Sequence, residues 1–156
     1  MYSRMKTFST LFSALLLIVS SFSAMAQQVA VSDGHVREVI PGNTVTSAYM
    51  TISNTGKSGL KLVGAKSDTI PRIEIHEHIM ADGMMKMRQK SHIDIAAGEN
   101  VVLQPMGLHL MLFDLASPVK AGQSQDIILI FEGGFEYKVT LPVHSIKKAK
   151  KHHHHH

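Results

Sequence analysis

The chain has no cysteine. That absence removes disulfides, thiolate metal ligands and thiol redox chemistry together. A blue-copper electron-transfer centre needs a thiolate beside its histidines, and a thiolate-bridged dinuclear copper centre needs cysteines too, so neither can form here. It also leads to the expectation of no lipid-anchored cysteine, and it suits an exported protein that avoids thiol oxidation. A basic face is missing as well. Gln27 to Ile146 holds 10 Lys and Arg against 12 Asp and Glu, about two negative charges net, so nothing argues for nucleic acid. The sequence shows no internal repeat and no long helical period. Its longest apolar run, Leu11–Val19, is too short to span a bilayer comfortably.

That run has another reading. Arg4 and Lys6 precede it, and a small-residue stretch ending Ala24-Met25-Ala26 follows, the three-part layout of a secretory signal peptide cleaved after Ala26. The expectation is therefore a signal peptide over 1–26, a single folded domain over 27–146 and a disordered Lys/His-rich tail over 147–156. The excess positive charge lies in the signal peptide and in Lys147, Lys148, Lys150 and Lys151. The expected location is the periplasm, with no membrane span once the signal is removed, and the expected state is a monomer.

Within the domain, short alternating segments are separated by turn residues. Strands are expected at Tyr49–Ser53, Leu60–Val63, Ile73–Ile79, Met84–Arg88, Val101–Leu103, Leu108–Phe113, Asp126–Phe131 and Tyr137–Leu141. Turn signals fall at Pro41-Gly42-Asn43, Asn54-Thr55-Gly56, Asp82-Gly83, Ala97-Gly98-Glu99, Ala121-Gly122 and Gly133-Gly134. Many short strands at this spacing indicate an all-β antiparallel sandwich.

His76 to Met87 reads HEHIMADGMMKM and forms a hairpin in this scheme. A four-residue loop, Met80 to Gly83, puts His76 across from Met87, whereas a two-residue Asp-Gly loop puts His78 there. Either register leaves His76, His78, Met85 and Met87 on one face, because strand side chains alternate with period two. Downstream, Leu108, Leu110 and Leu112 form a core face, which sends His109 and Met111 to the other face two residues apart. Two such elements offer two imidazoles and two thioethers. Imidazole suits copper, zinc, iron and nickel, while the soft, neutral thioether favours Cu(I). A thioether needs no deprotonation to bind, whereas histidine must be neutral.

Ordinary roles compete with this one. Met50 sits between Ala48 and Ile52 in a core alternation, and Met84 is expected to pack on the face opposite Met85. Met80 and Met106 fall in or beside turns. His35, His92 and His144 read as hydrogen-bonded or exposed histidines, and His78 as a neighbour of a site or a bystander. Spacing alone does not separate a metal site from these readings.

The residues also resemble a known family, the periplasmic copper chaperones called PCu(A)C. The family signature is a His, ten residues, a Met, twenty-one residues, then His-x-Met; His76, Met87, His109 and Met111 fit it without a gap. The surroundings AYMTISNTG (Ala48–Gly56), IHEHIMADGMMKMR (Ile75–Arg88) and GLHLMLFDL (Gly107–Leu115) are similar too. The resemblance runs from about Val31 to Val143. It implies a cupredoxin-like β-sandwich, a Cu(I) site at His76, Met87, His109 and Met111 near the surface, and the four-residue loop that sets His76 opposite Met87. It also implies delivery of copper to receiving proteins of cytochrome c oxidase assembly, in particular the dinuclear copper centre. Some relatives carry a His- and Met-rich extension implicated in Cu(II) binding; here His152, His153, His154, His155 and His156, a native tail or a purification-tag remnant, offer a second, looser site for Cu(II), Ni(II) or Zn(II).

Three other functions remain in competition. One is general periplasmic copper storage or resistance. Another is an interaction sandwich without metal. The last is an enzyme, which the sequence disfavours: a histidine-brace oxygenase needs His at the mature N-terminus, where Gln27 is expected, and a dismutase wants a larger histidine cluster.

Overall fold

A computed structural model describes residues 28–146. The expected signal peptide and the expected tail, including His152–His156, lie outside the described residues. Ten strands are present and no helix is long and apolar enough to cross a membrane among them. They are β1 (Val29–Arg37), β2 (Thr46–Asn54), β3 (Leu60–Lys66), β4 (Arg72–Ala81), β5 (Met84–Lys90), β6 (Ile93–Ile95), β7 (Asn100–Leu103), β8 (Leu108–Phe113), β9 (Ser124–Phe131) and β10 (Glu136–His144).

The strand order is β5-β4-β8-β2-β1-β10-β9-β3-β6, with β7 paired to β2 beside β8. β8 takes Thr46–Ala48 and β7 takes Met50–Ser53 on the edge of β2 opposite β1. The β5-β4-β8-β2-β1 half and the β10-β9-β3-β6 half bury their inward faces in one core, which makes the open sheet a cupredoxin-like two-layered β fold. Ala48, Met50, Ile52, Leu110 and Leu112 enter it from one half. Leu62, Ile127, Leu129, Phe131, Val139 and Leu141 enter from the other. The period-two alternation is what makes this possible: in β10, Val139, Leu141 and Val143 point inward while Lys138, Thr140 and Pro142 do not.

Eight expected strands are present. β1 and β6 were not among them. β6 has only three residues, and its Ile93-Asp94-Ile95 alternation pairs with β3. β1 hides because its alternation breaks: its register with β2 shifts between Ser32 and His35, where Asp33 adopts φ 53°. Gly34 at this bulge lies so close to Leu141 that no Cβ fits without displacing it. Pairing is antiparallel except at one place. β1 and β10 run parallel through Val36–Val143 and Arg37–His144, and this short ladder joins the two halves. The purely antiparallel expectation is corrected there.

The hairpin loop is corrected too. Asp82 and Gly83 have φ 55° and 73°, so they form a two-residue turn with both central residues left-handed, and Ala81 pairs directly with Met84. This turn matches strand twist, which a four-residue loop here does not have to do. Met80 is consequently a strand residue rather than a loop residue.

Candidate metal centre

The outer face of β5-β4-β8-β2 carries the histidines and methionines singled out from the sequence. Register sets it out in rows. Ser47 of β2, Met111 of β8 and Glu74 of β4 form one row. His109 of β8, His76 of β4 and Gln89 of β5 form the next. His78 and Met87 make the third, and Met80 and Met85 the last, at the hairpin tip. Of the four residues singled out from the sequence, His76 and His109 are direct cross-strand partners and Met111 lies two residues along from His109. Met87 is diagonal to His76, about 7–8 Å away at backbone level and within reach of a long side chain. His78, not His76, faces Met87 directly.

Hydrogen bonding fixes which nitrogen each ring has free. His109 Nδ1 lies 3.0 Å from the Gly107 carbonyl oxygen, which can only accept, so Nδ1 carries the proton and Nε2 keeps its lone pair. His76 Nε2 lies 2.8 Å from Glu74 Oε2, so in this ring Nε2 carries the proton and Nδ1 is the free atom. That Nδ1 is buried with no hydrogen-bond partner, and so is His78 Nδ1. A buried polar atom without a partner is costly unless it serves something. His76 Nδ1 and His109 Nε2 thus present free ring nitrogens from adjacent strands.

The surroundings hold these rings in place. His78 stacks on His109 with centroids 5.0 Å apart, and Tyr49 and His76 flank the same ring at 6.3 and 6.1 Å. His109 is thereby only 2% exposed, although it lies on the outer face. Burial pushes the His109 imidazole below its ordinary pKa, and the neighbouring His78 and His76 rings act in the same direction, against the bond to Gly107. The neutral, ligating form is thus favoured. Glu74 is held below the usual carboxylate range by its bonds to His76 and then Arg72. Arg72 bonds Glu74 Oε1 at 2.6 Å and Asp114 at 3.1 Å, and lies 3.9 Å over the Phe113 ring. Ser47 Oγ donates to the Met111 sulfur at 3.3 Å.

Glu74, Ser47 and Tyr49 are site residues that sequence reasoning did not assign a role. Alternation places Glu74 on the His76 face, and that was the available signal; Ser47 and Tyr49 required the β2–β8 register. Among the described residues, no three His, Asp or Glu side chains gather as a metal-binding group. The side chains that share this face are imidazoles and thioethers, borderline and soft donors, rather than the oxygen-rich set that hard cations prefer.

Methionine usage points the same way. Of the methionines in the described residues, only Met50 is in the core. Met80, Met84, Met85, Met87 and Met106 are five of the eight exposed large hydrophobic residues. Met84, expected to pack, is 60% exposed. His92 meets expectation, bonded to Ser91 and near Asp94 at the surface. His35 and His144, brought together by the parallel ladder, stack with centroids 4.7 Å apart.

Known proteins share this architecture. A protein of Leifsonia xyli named as a lipoprotein is 33% identical over 127 residues, spanning 81% of this chain and 75% of the relative. The copper-bound PCuAC domain of PmoF2 superposes with a TM-score of 0.64 at 22% identity, over 76% of this chain and 93% of that one, a likeness of fold. The Cu(I) form of DR1885 from Deinococcus radiodurans gives a TM-score of 0.58 at 30% identity, over 77% of this chain and 82% of that one. Residues 29–143 match the family model described as LpqE-like, and the chain therefore belongs to that family, the family of the PCuAC domains.

Proposed function

We propose that this protein is an exported copper carrier that binds one Cu(I) through His76, Met87, His109 and Met111. The observation that carries the reading is the pair of vacant ring nitrogens, Nδ1 of His76 and Nε2 of His109, on adjacent strands beside two thioethers. Copper bound to the PmoF2 domain and Cu(I) bound to DR1885 support the choice of metal. Four neutral donors leave the ion its single positive charge, which suits Cu(I) better than a divalent cation. Glu74, bonded to His76, supplies nearby negative charge without entering the coordination sphere. A carrier must also release its cargo. Met87 is 41% exposed, so a partner can displace it first and take the ion by stepwise ligand exchange, with no change in copper oxidation state.

The recipients in this reading are proteins of cytochrome c oxidase assembly, and the location is the periplasm after signal cleavage. The His152–His156 tail adds a looser site for Cu(II). Cu(I) titration followed by X-ray absorption, with and without residues 147–156, tests the assignment. One tight Cu(I) in a mixed S/N environment is expected in both forms, lost or strongly weakened in His109→Ala and Met111→Ala. Unchanged Cu(I) affinity in both variants refutes the site.

A further inference from the structure

The last row of the outer face is left without a role by the four-ligand site. Met80 is 71% exposed and Met85 is 44% exposed, and they are direct cross-strand partners on the face that carries His76 and His109. A soluble domain seldom displays large apolar side chains together without a function. Packing does not explain them, because the core takes Val, Ile, Leu and Phe and uses Met only at Met50. Turn chemistry does not explain them either, because Asp82 and Gly83 alone make the reversal. What distinguishes methionine from the other apolar residues is its soft sulfur.

We propose that Met80 and Met85 form a second, outer perch for a soft monovalent ion at the hairpin tip, through which Cu(I) enters and leaves the inner site. Directly opposed strand residues have Cβ atoms about 4.5–5.5 Å apart, a gap that two thioethers can bridge through one ion. Two neutral ligands on an exposed edge hold Cu(I) weakly and leave coordination positions open for a donor from a partner protein. The next row inward, His78 and Met87, lies two residues along each strand, about 7 Å away. The buried Nδ1 of His78 is unpartnered, so this row offers an intermediate foothold. The turn bearing Met106 is tied to the same place, since the His78 amide donates to the Gly107 carbonyl at 3.2 Å. Transfer along these rows is ligand exchange: one donor enters as another leaves, and copper stays Cu(I) throughout. The transit role rests on the copper-carrier reading; the thioether pair as a soft-ion site does not.

The test is a titration of the full mature chain with Ag(I), a redox-inert soft cation, followed through the 13C-labelled methionine methyl resonances. These report each sulfur separately, so ions held by the tail histidines do not interfere. Two phases are expected: Met87 and Met111 shift first, and Met80 and Met85 shift together in a later, weaker phase. Met80→Leu/Met85→Leu loses the later phase and keeps the first. Met84, exposed on the opposite face, shifts in neither. The proposal is overturned if Met80 and Met85 do not shift, if they move in step with Met111 as one site, or if Met84 follows them as general surface binding. Shifts at Met80 and Met85 with none at Met111 sustain the outer pair while refuting the inner site.

Discussion

Glu74 provides the sharpest test of how the site is built. Its Oε2 holds His76 Nε2 at 2.8 Å, which leaves Nδ1 as the donor atom. Replacing it with alanine frees the ring to rotate and to change tautomer. A hydrogen bond to a charged group contributes about 1.5–3 kcal/mol. The Glu74 side chain is 19% exposed and shares its charge with Arg72, so the contribution falls at or somewhat below the lower end of that range, about 1–2 kcal/mol. Cu(I) binding should therefore weaken by roughly 5- to 30-fold, which overlaps the roughly 10- to 100-fold seen when outer-shell partners of metal ligands are removed. Glu74→Gln retains an oxygen to accept from Nε2 but loses the charge, and should fall between parent and alanine. Anaerobic competition against a chromophoric Cu(I) chelator measures this. In a His76→Ala background, Glu74→Ala should have no further effect, because the two act as one unit. The reasoning is refuted if folded Glu74→Ala binds Cu(I) within about twofold of the parent, or if the loss persists in the His76→Ala background.

Two more outcomes follow from the fold itself. Without metal, stability should fall as pH drops. His109 and His35 have folded pKa values below their ordinary 6.5, mainly through burial, so the unfolded chain binds more protons; the loss begins below about 6.5 and is complete below the folded values. The lowered Glu74 pKa acts with the same sign further down. Urea midpoints measured at about pH 7.5 and about pH 5 check this, and an unchanged or higher midpoint in acid contradicts it. Leu110→Ala removes a fully buried side chain lying between His109 and Met111 in β8, and should cost about 2–5 kcal/mol by urea unfolding. A cost below about 1 kcal/mol shows that the core is not built as described.

Most of the fold was legible in the chain because strand alternation is a local signal. Leu108–Phe113 appeared at its full extent because its Leu-x-Leu-x-Leu face is unbroken. β1 did not appear, because a bulge with left-handed Asp33 scrambles the same signal. Exposure was less legible than face. Alternation correctly set His109 on the outer face, but that face is itself covered there by His78, His76 and Tyr49, which come from other strands. Met84 failed for the complementary reason: its face was identified, but nothing packs against that face at the hairpin tip.

The sequence alone determined which candidate donor types the chain can offer. With no cysteine and a periodic His/Met pattern, the only soft ligands available are thioethers, and their parity on each strand settles which of them share a face. Only the tertiary structure decided how those donors meet. Register between strands distant in sequence is set by turn geometry and core packing. It placed His76 beside His109, moved Met87 to the diagonal, set Met80 against Met85, and gave His76 and His109 opposite tautomers through Glu74 and the Gly107 carbonyl.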